Sequence, residues 1–240
     1  MKLFTRLTRS YYHHKLRNQV LNFKDLHFNK KCLIVGNGPS VNMNDLNKIG
    51  DFVTFTCNRF HLAYKDTTFR PTYTCVSDNL MIADFGLEII KESNNKIFLT
   101  DPVLANKYRD VYSVRDKLGK FFFEENILKG VNPSGSVLIY SIQIARYMGI
   151  KKIYLYGVDH KFNFDKTSNK TSTVTGEGNH FIKNYRSGKK WYPPKTAQIE
   201  EGLKICDRYL RKENGFIKNC SRSSHLTGCM RITLESAIEE

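Results

Sequence analysis

Two parts of this chain carry residue types whose spacing could support chemistry. The first is the glycine loop, residues 36–40, which directly follows an apolar run at 32–35. It consists of Gly36, Asn37, Gly38, Pro39 and Ser40. The second is His180, in a polar stretch where a histidine has no core to fill. An imidazole suits proton transfer near neutral pH, so His180 is either a general base or a surface histidine.

The glycine loop has two interpretations. A buried strand that opens into a glycine-rich turn can present backbone N–H groups to phosphate, and Gly36 and Gly38 permit close approach. Alternatively, the loop is a purely structural turn from strand to helix. Pro39 and Ser40 stand where the dinucleotide fingerprint would continue toward its third glycine, and no Gly-Lys-Ser/Thr follows. The loop therefore disfavours NAD binding and a Walker-type NTPase.

Polar residues collect after three predicted strands. They are Asn58 after the second strand, Asp78 and Asn79 after the third, and Asp159 and His160 after a later one. Ligands of an open parallel sheet bind at this edge. Taken singly, Asn79 and His160 are better interpreted as loop caps or turn formers. The shared location makes Asn58, Asp78 and Asp159 candidates for binding a ligand, and Asn79 is kept with them.

A further candidate lies at the start of a predicted helix at 136–148. Ser134, Gly135 and Ser136 could cap this helix or hold an anion at its N-terminus. Metal ligands are poorly supported, because the histidines are scattered and His13 and His14 have no nearby carboxylates. Asp78 or Asp159 could still touch a Mg²⁺–phosphate complex.

The elements that must position these residues follow an α/β pattern. From residue 31 to 240, short apolar runs alternate with longer helical stretches, which predicts one Rossmann-like domain. We expect a mostly parallel sheet with helices on both faces. Strands are predicted at 32–35, 52–57, 73–76, 96–99, 152–156 and around 216–219, and helices at 136–148 and 195–211. Insertions are expected near 102–131, as a small helical subdomain or lid, and near 161–190, as a long polar loop.

The composition of the chain indicates which classes of partner it binds and where in the cell it is located. The formal net charge of +15 implies an anionic partner: nucleic acid, an acidic membrane surface or a phosphorylated substrate. The 6 cysteines form no Cys-x-x-Cys pair, and several lie in apolar runs, which is typical of reduced core residues in a cytoplasmic protein. No run of about 18 apolar residues occurs, so neither export nor membrane spanning is expected.

Residues 1–30 form a separate basic segment. Leu3, Phe4, Leu7 and Tyr11 recur at roughly helical spacing among many lysines and arginines. This pattern predicts a helix, for which two placements stay open. The helix could lie on anionic lipid at the inner face of the cell membrane, or it could pack against the domain as a solvated helix.

These motifs together resemble the bacterial sialyltransferases of glycosyltransferase family 42, from about residue 31 to residue 226. The resemblance rests on the glycine loop, residues 57–60, the helix start at 134–135, the run 153–159 and residues 179–181. It implies a Rossmann-like fold of a GT-A-like variant, a CMP-activated nonulosonic acid as donor, and no metal. It also implies that His180 is the catalytic base and that Asn37 and Asn58 contact the donor.

The chain also resembles the 6-hydroxymethylpterin pyrophosphokinase-like family, which includes a domain of motility-associated flagellin glycosyltransferases. This likeness rests on residues 157–162, 179–181, 191–194 and 219–221. It implies either a surface-polysaccharide enzyme or, as in the archaeal members, transfer of pyrophosphate from ATP to a pterin.

One departure from the sialyltransferase pattern concerns the leaving group. The tyrosines that assist the leaving phosphate in that family are not matched, because Lys161 and Phe162 stand there. Either Tyr185 or a lysine such as Lys183 or Lys189 takes that role, or the donor differs.

We therefore predict a cytoplasmic glycosyltransferase of surface polysaccharide or glycan biosynthesis that requires no cofactor. It would transfer the sugar of a nucleotide-sugar donor, preferably CMP-linked, to a glycan or lipid-linked acceptor, with His180 and Tyr185 as catalytic residues. The alternative is a Mg²⁺-dependent pyrophosphokinase that uses ATP. A nucleic-acid binder is disfavoured because no recognised module is present. Peripheral membrane contact and homo-oligomer formation stay open.

Overall fold

A computed structural model of the chain describes residues 2–162, 178–190 and 192–240. Its centre is one eight-stranded sheet in the order β5-β4-β3-β2-β1-β6-β7-β8, and every neighbouring pair is parallel. The strands are β1 Lys31–Val35, β2 Val53–Cys57, β3 Tyr73–Val76, β4 Lys96–Leu99, β5 Val111–Ser113, β6 Lys152–Tyr156, β7 Phe216–Asn219 and β8 Met230–Arg231. The predicted Rossmann-like α/β fold is confirmed, and the described sheet is parallel throughout.

Helices cover both faces of this sheet. They are α1 Lys2–Leu21, α2 Met43–Leu46, α3 Asn79–Ser93, α4 Pro102–Ala105, α5 Val137–Tyr147, α6 Thr196–Lys212 and α7 Leu234–Glu239, with 3-10 turns at Phe60–Ala63 and Ile127–Lys129. The apolar run of β1 explains the layering. Cys32 and Ile34 pack with α5 and α6, whereas Leu33 and Val35 pack with α2 and α7 on the opposite face.

Most predicted elements lie where the pattern placed them. The strands at 73–76, 96–99, 152–156 and 216–219 match residue for residue, and those at 32–35 and 52–57 differ by one residue at their starts. The segment 102–131 differs from the expected helical subdomain or lid. It holds the four-residue α4 and β5, whose three residues pair with β4 at the edge of the sheet. So short a strand, with charged neighbours, leaves little pattern in the sequence.

Helix α1 packs along the β5 edge of the domain. Arg9 forms an ion pair with Asp101 at 3.2 Å and donates to the Thr100 carbonyl, while Leu16 and Val20 are buried. Leu7 and Tyr11 stay exposed on the other side of the helix. Of the two placements, packing against the domain is therefore realised, with an apolar and basic side left in solvent. No helix in the described ranges is long and apolar enough to cross a membrane.

The strand order creates a topological switch point between β1 and β6. From β1 the chain builds β2 to β5 on one side and returns to β6 on the other. Beyond the strand ends the two backbones stay joined, because Gly36 N donates to the Tyr156 carbonyl and Gly38 N to the Gly157 carbonyl, both at 2.8 Å. A Cβ atom on Gly36 would lie 2.5 Å from the Gly157 oxygen. Only glycine allows so close an approach.

Gly157 provides a test of this approach. It has φ +68°, and a Cβ there would lie 2.1 Å from Val41 Cγ2, whereas Gly50 has φ +58° with nothing within 4 Å. Gly50→Ala should lower the free energy of unfolding by about 1–2 kcal/mol, the strain of left-handed backbone. Gly157→Ala should cost roughly 1–3 kcal/mol more, because Val41 must be displaced. Urea unfolding of both variants measures the difference, and equal losses would show that the close approach contributes nothing.

Candidate functional site

A cleft opens at the switch point, at the carboxyl edge of the sheet. Several residues predicted for the site line it: Gly36, Asn37, Gly38, Pro39, Asn58, Ser136, Asp159, His180 and Tyr185. His160, Lys161, Phe162 and Asn179 line it as well. The fold thus gathers residues from five separate parts of the chain into one place.

The glycine loop does not present free N–H groups as expected. Gly36 and Gly38 donate to the end of β6, Ser40 N donates to Asp159 Oδ2 at 2.7 Å, and Pro39 has no N–H. The expectation of a phosphate cradle built from these amides is therefore wrong at those positions. The glycines supply close approach between two backbones, and any contact of the loop with a donor stays a prediction.

Asp159 braces the glycine loop. Its two carboxylate oxygens accept from the Ser40 backbone N–H and from the Ser40 hydroxyl, and the side chain is buried. A Cβ on Gly38 would lie 2.8 Å from this carboxylate, so a larger residue there would displace the brace. Each oxygen of Asp159 accepts a hydrogen bond from Ser40, so the carboxylate holds the glycine loop in place.

Asn37 connects the loop to Tyr185. Its Nδ2 donates to the Cys57 carbonyl at 2.8 Å and to the Tyr185 hydroxyl at 2.9 Å, and the same hydroxyl accepts from Arg59 N at 3.2 Å. Burial raises the pKa of Tyr185 well above its usual value, so the phenol stays protonated at neutral pH. The tyrosine is thereby fixed as an internal acceptor, which favours a positioning role for it over a catalytic one.

Two buried acceptors at the cleft lack partners. Asn37 Oδ1 and Asn58 Oδ1 have no hydrogen-bond partner among the described residues, and both side chains belong to the cleft lining. Asn58 has φ +54°, and its backbone N–H donates to the Cys75 carbonyl. Because an unsatisfied buried acceptor is costly, these oxygens suit a ligand that brings N–H or O–H donors.

His180 stacks on Tyr185, with ring centroids 3.9 Å apart and an interplanar angle of 13°. The next residue, Phe181, donates its backbone N–H to the Asn37 carbonyl at 3.0 Å. The imidazole is therefore held beside the glycine loop although the two lie far apart in sequence. Gly176, Glu177 and Trp191, which belong to the sequence motifs around this histidine, lie outside the described residues.

The histidine segment, residues 178–190, is clamped to α3 by two buried arginines. Arg59 pairs with Glu88 at 2.7 Å and donates to the Tyr185 carbonyl, and Arg186 pairs with Asp84 at 2.7 Å. Both guanidinium groups lie over the Phe85 ring, at 3.9 Å and 5.1 Å from its centroid. Neither arginine was predicted from the sequence as a site residue. The sequence signal that could have indicated the arginine contacts is the pair Asp84 and Glu88, which are four residues apart and therefore share one face of α3.

His160 and Lys161 occupy the part of the cleft where the sialyltransferase tyrosines are unmatched. His160 Nε2 lies 3.5 Å from Glu200 Oε1 on α6. Burial lowers the pKa of His160 more than Glu200 raises it, which favours the neutral imidazole at pH 7. Interpreting His160 as a turn former accounts for its φ of +51° but not for its place in the lining.

Five candidate residues lie outside the cleft lining: Ser40, which is held by Asp159, and Asp78, Asn79, Ser134 and Gly135. Asp78 caps α3 by accepting from Leu80 N, and Asn79 accepts from the Thr100 hydroxyl. Ser134 is buried and donates to the Gln198 carbonyl of α6, beside Gly135. Ser136 does line the cleft but also caps α5 through Leu138 N. Asp78 is placed at the N-terminus of α3 because only two residues separate this helix from the end of β3. Its role there is to cap the helix.

Among the described residues, no set of ligands suited to Mg²⁺ is gathered at the cleft. Asp159 is engaged by Ser40, and Asp78 is an exposed helix cap. Across the described ranges, no three histidine, cysteine, aspartate or glutamate side chains are grouped as metal ligands. Mg²⁺ bound with substrate phosphates is held by one or two carboxylates, and the described lining contains one, Asp159, whose oxygens each already accept a hydrogen bond from Ser40.

Comparison with known proteins gives a family and a fold. A model of the family described as 6-hydroxymethylpterin diphosphokinase MptE-like matches residues 4–165. Among solved structures, the sialyltransferase CstII from Campylobacter jejuni in complex with CMP-3FNeuAc is 18% identical, with a TM-score of 0.52 over 85% of this chain and 86% of that chain.

Two further solved structures show weaker likeness. They are CstII with cytidine-5'-monophosphate, 15% identical with a TM-score of 0.49 over 86% of both chains, and the monofunctional α-2,3-sialyltransferase Cst-I from the same organism, 16% identical with a TM-score of 0.48 over 84% of this chain and 79% of that chain. No curated protein matches the sequence.

Tyr185→Phe tests the network that positions His180. The change removes the hydroxyl that accepts from Arg59 N and from Asn37 Nδ2, so the Arg59 N–H loses its acceptor and Asn37 keeps only its bond to the Cys57 carbonyl. We expect the free energy of unfolding to fall by about 1–3 kcal/mol. Tyr192→Phe removes a hydroxyl from an exposed ring and should change stability by less than about 0.5 kcal/mol. Chemical denaturation compares the two, and a silent Tyr185→Phe would argue against the network.

Proposed function

The chain belongs to the 6-hydroxymethylpterin diphosphokinase MptE-like family, and from that premise we propose that it is a transferase for a nucleotide-activated sugar. The observation that carries the proposal is the fixed histidine of the cleft. His180 lies at the switch point of a parallel sheet, stacked on Tyr185 and tied to the glycine loop through Phe181. A base held beside a cleft at the carboxyl edge of a parallel sheet suits transfer to a hydroxyl.

The donor side of the proposal rests on the two unsatisfied asparagine oxygens. Asn37 Oδ1 and Asn58 Oδ1 would accept hydrogen bonds from the exocyclic amine of a base or from ribose hydroxyls. The fold is shared with a sialyltransferase whose complex holds CMP-3FNeuAc, and this supports a CMP-linked sugar as our first choice of donor.

The donor phosphate needs positive charge from groups other than the loop amides. Ser136, Val137 and Leu138 bring the N-terminus of α5 to the cleft, and Lys161 adds an ammonium group there. A helix N-terminus and a lysine both favour a phosphate dianion. We assign the leaving phosphate to these groups instead of to Tyr185, whose hydroxyl accepts from two internal donors.

In the transfer step, His180 would take the proton of the acceptor hydroxyl as its oxygen bonds to the anomeric carbon. The bond from that carbon to the phosphate oxygen breaks, and the nucleoside monophosphate leaves with the electron pair. Stacking on Tyr185 holds the imidazole plane for this exchange. The acceptor we propose is a glycan or a lipid-linked saccharide.

The second candidate is Mg²⁺-dependent transfer of pyrophosphate from ATP, which the family description favours. That reaction needs carboxylates to hold the metal at the phosphates. In the described cleft Asp159 is engaged by Ser40, and Asp78 caps α3 away from the lining. These engagements support the sugar transferase as the first choice.

A nucleotide panel separates the two candidates. We expect CMP to raise the melting temperature without added Mg²⁺, because a ligand that binds only the native state stabilises it by mass action. UDP, GDP and ATP, each with and without Mg²⁺, serve as comparisons in the same thermal-shift assay. A response to ATP with Mg²⁺ alone would select the diphosphokinase, and no response to any nucleotide would contradict both candidates.

His180→Ala tests the proposed base. CMP release from a CMP-linked nonulosonic acid, with water or a saccharide as acceptor, should slow by about 10²–10⁴-fold, the usual contribution of a positioned base. Donor affinity should change little, since the asparagine contacts stay.

The control is His225→Ala, which removes an exposed imidazole outside the cleft lining and keeps the backbone bond to Asp159. Full turnover in His180→Ala would remove His180 from the mechanism.

A further inference from the structure

A second polar pocket lies between α1 and the carboxyl end of β5. Its polar lining comes from Ser10, His13, His14, Arg17, Ser113 and Arg115, and the 3-10 turn at Ile127–Lys129 closes one side. The pocket lies on the same edge of the sheet as the cleft. Four strand spacings separate β5 from β1, which places it roughly 19 Å from the switch point. It is therefore a site distinct from the cleft.

The charge of this pocket is positive and uncompensated. Among the described residues, neither Arg17 nor Arg115 has an ion-pair partner, and Arg115 donates only to the Lys129 carbonyl, at 3.3 Å. By contrast, the charge of Arg9 on the same helix is met by Asp101. Two unpaired guanidinium groups at one pocket are a common arrangement for binding phosphate, because each offers a planar pair of N–H donors.

His13 adds a buried ring nitrogen to the pocket. Ser113 Oγ lies 3.5 Å from His13 Nδ1, and Nε2 is buried with no hydrogen-bond partner in the described part of the chain. Burial and the charges of Arg9 and Arg115 lower the pKa of His13 to about 4, so the ring is neutral at pH 7. If the Ser113 hydroxyl donates to Nδ1, the proton is on Nε2, and this buried N–H needs an acceptor.

We propose that this pocket binds the phosphate group of an anionic ligand through Arg17, Arg115 and His13. Phosphate oxygens are acceptors for all three side chains and match the uncompensated charge. The phosphate belongs either to a free monoester or to the headgroup of a phospholipid. Leu7 and Tyr11 are exposed on the same helix, where a membrane surface would meet them.

The test follows the His13 ring signal by NMR during titration with glycerol 3-phosphate, the signal being assigned by its loss in His13→Gln. Wild type should show a saturable shift, and Arg17→Gln with Arg115→Gln should weaken the affinity at least tenfold. The matched control is Lys15→Gln with Lys24→Gln, which removes two exposed charges that do not line the pocket. Melting curves check that each variant is folded.

A second arm measures flotation with phosphatidylcholine vesicles, with and without phosphatidic acid. Saturable binding of glycerol 3-phosphate supports the pocket with a free monoester as source. Binding only to phosphatidic acid vesicles, lost in the arginine pair and kept in the lysine pair, supports it with a lipid headgroup as source. Equal losses in the two pairs, or no response to either probe, would overturn the proposal.

Discussion

The close approach of the β1 and β6 backbones beyond the sheet is the constraint on which the site depends. Gly36 and Gly38 donate to carbonyls of Tyr156 and Gly157, and this pairing extends the strand contact into the region where strands at a switch point normally separate. It sets the path of the glycine loop, and with it the direction of Asn37 and the carbonyl that receives Phe181 N–H. The same pairing uses the amides that a phosphate loop would present, so the loop serves the site through shape and through Asn37.

Two buried arginines fix the histidine segment, residues 178–190, to helix α3. Arg59 and Arg186 are almost completely buried, and each is neutralised by a carboxylate of α3 across the Phe85 ring. Breaking one buried pair leaves an uncompensated charge, which is more costly than losing a surface pair. The histidine segment is therefore bound by groups that tolerate little displacement. This rigidity suits a base that must hold one orientation beside a substrate.

Features of the fold and site that depend on local sequence patterns were predictable, whereas those that depend on contacts between distant parts of the chain were not. The buried strands at 73–76, 96–99 and 152–156 were predicted because continuous apolar runs report burial on both faces. The same strands predicted that ligands bind at the carboxyl edge of the sheet. The roles of Asp159 and Ser134 were not predictable, because their partners Ser40 and Gln198 come close only through the sheet and the packing of α6. The clamp on α3 was missed for the same reason, since each arginine meets its carboxylate across the fold.

The charges at the cleft separate a side that suits a phosphate from a side that suits proton transfer. The Asp159 carboxylate is buried and accepts hydrogen bonds from uncharged donors of Ser40, and burial favours neutral His160, so neither Ser40 nor His160 offsets the negative charge beside the glycine loop. The positive groups at the lining are Lys161 and the N-terminus of α5. A phosphate that leaves with two negative charges is thus attracted toward α5. The acceptor side, beside His180, is left to an uncharged hydroxyl, which an imidazole can deprotonate without opposing a strong local field. This separation of a phosphate side from a proton-transfer side is what a direct displacement at an anomeric carbon requires.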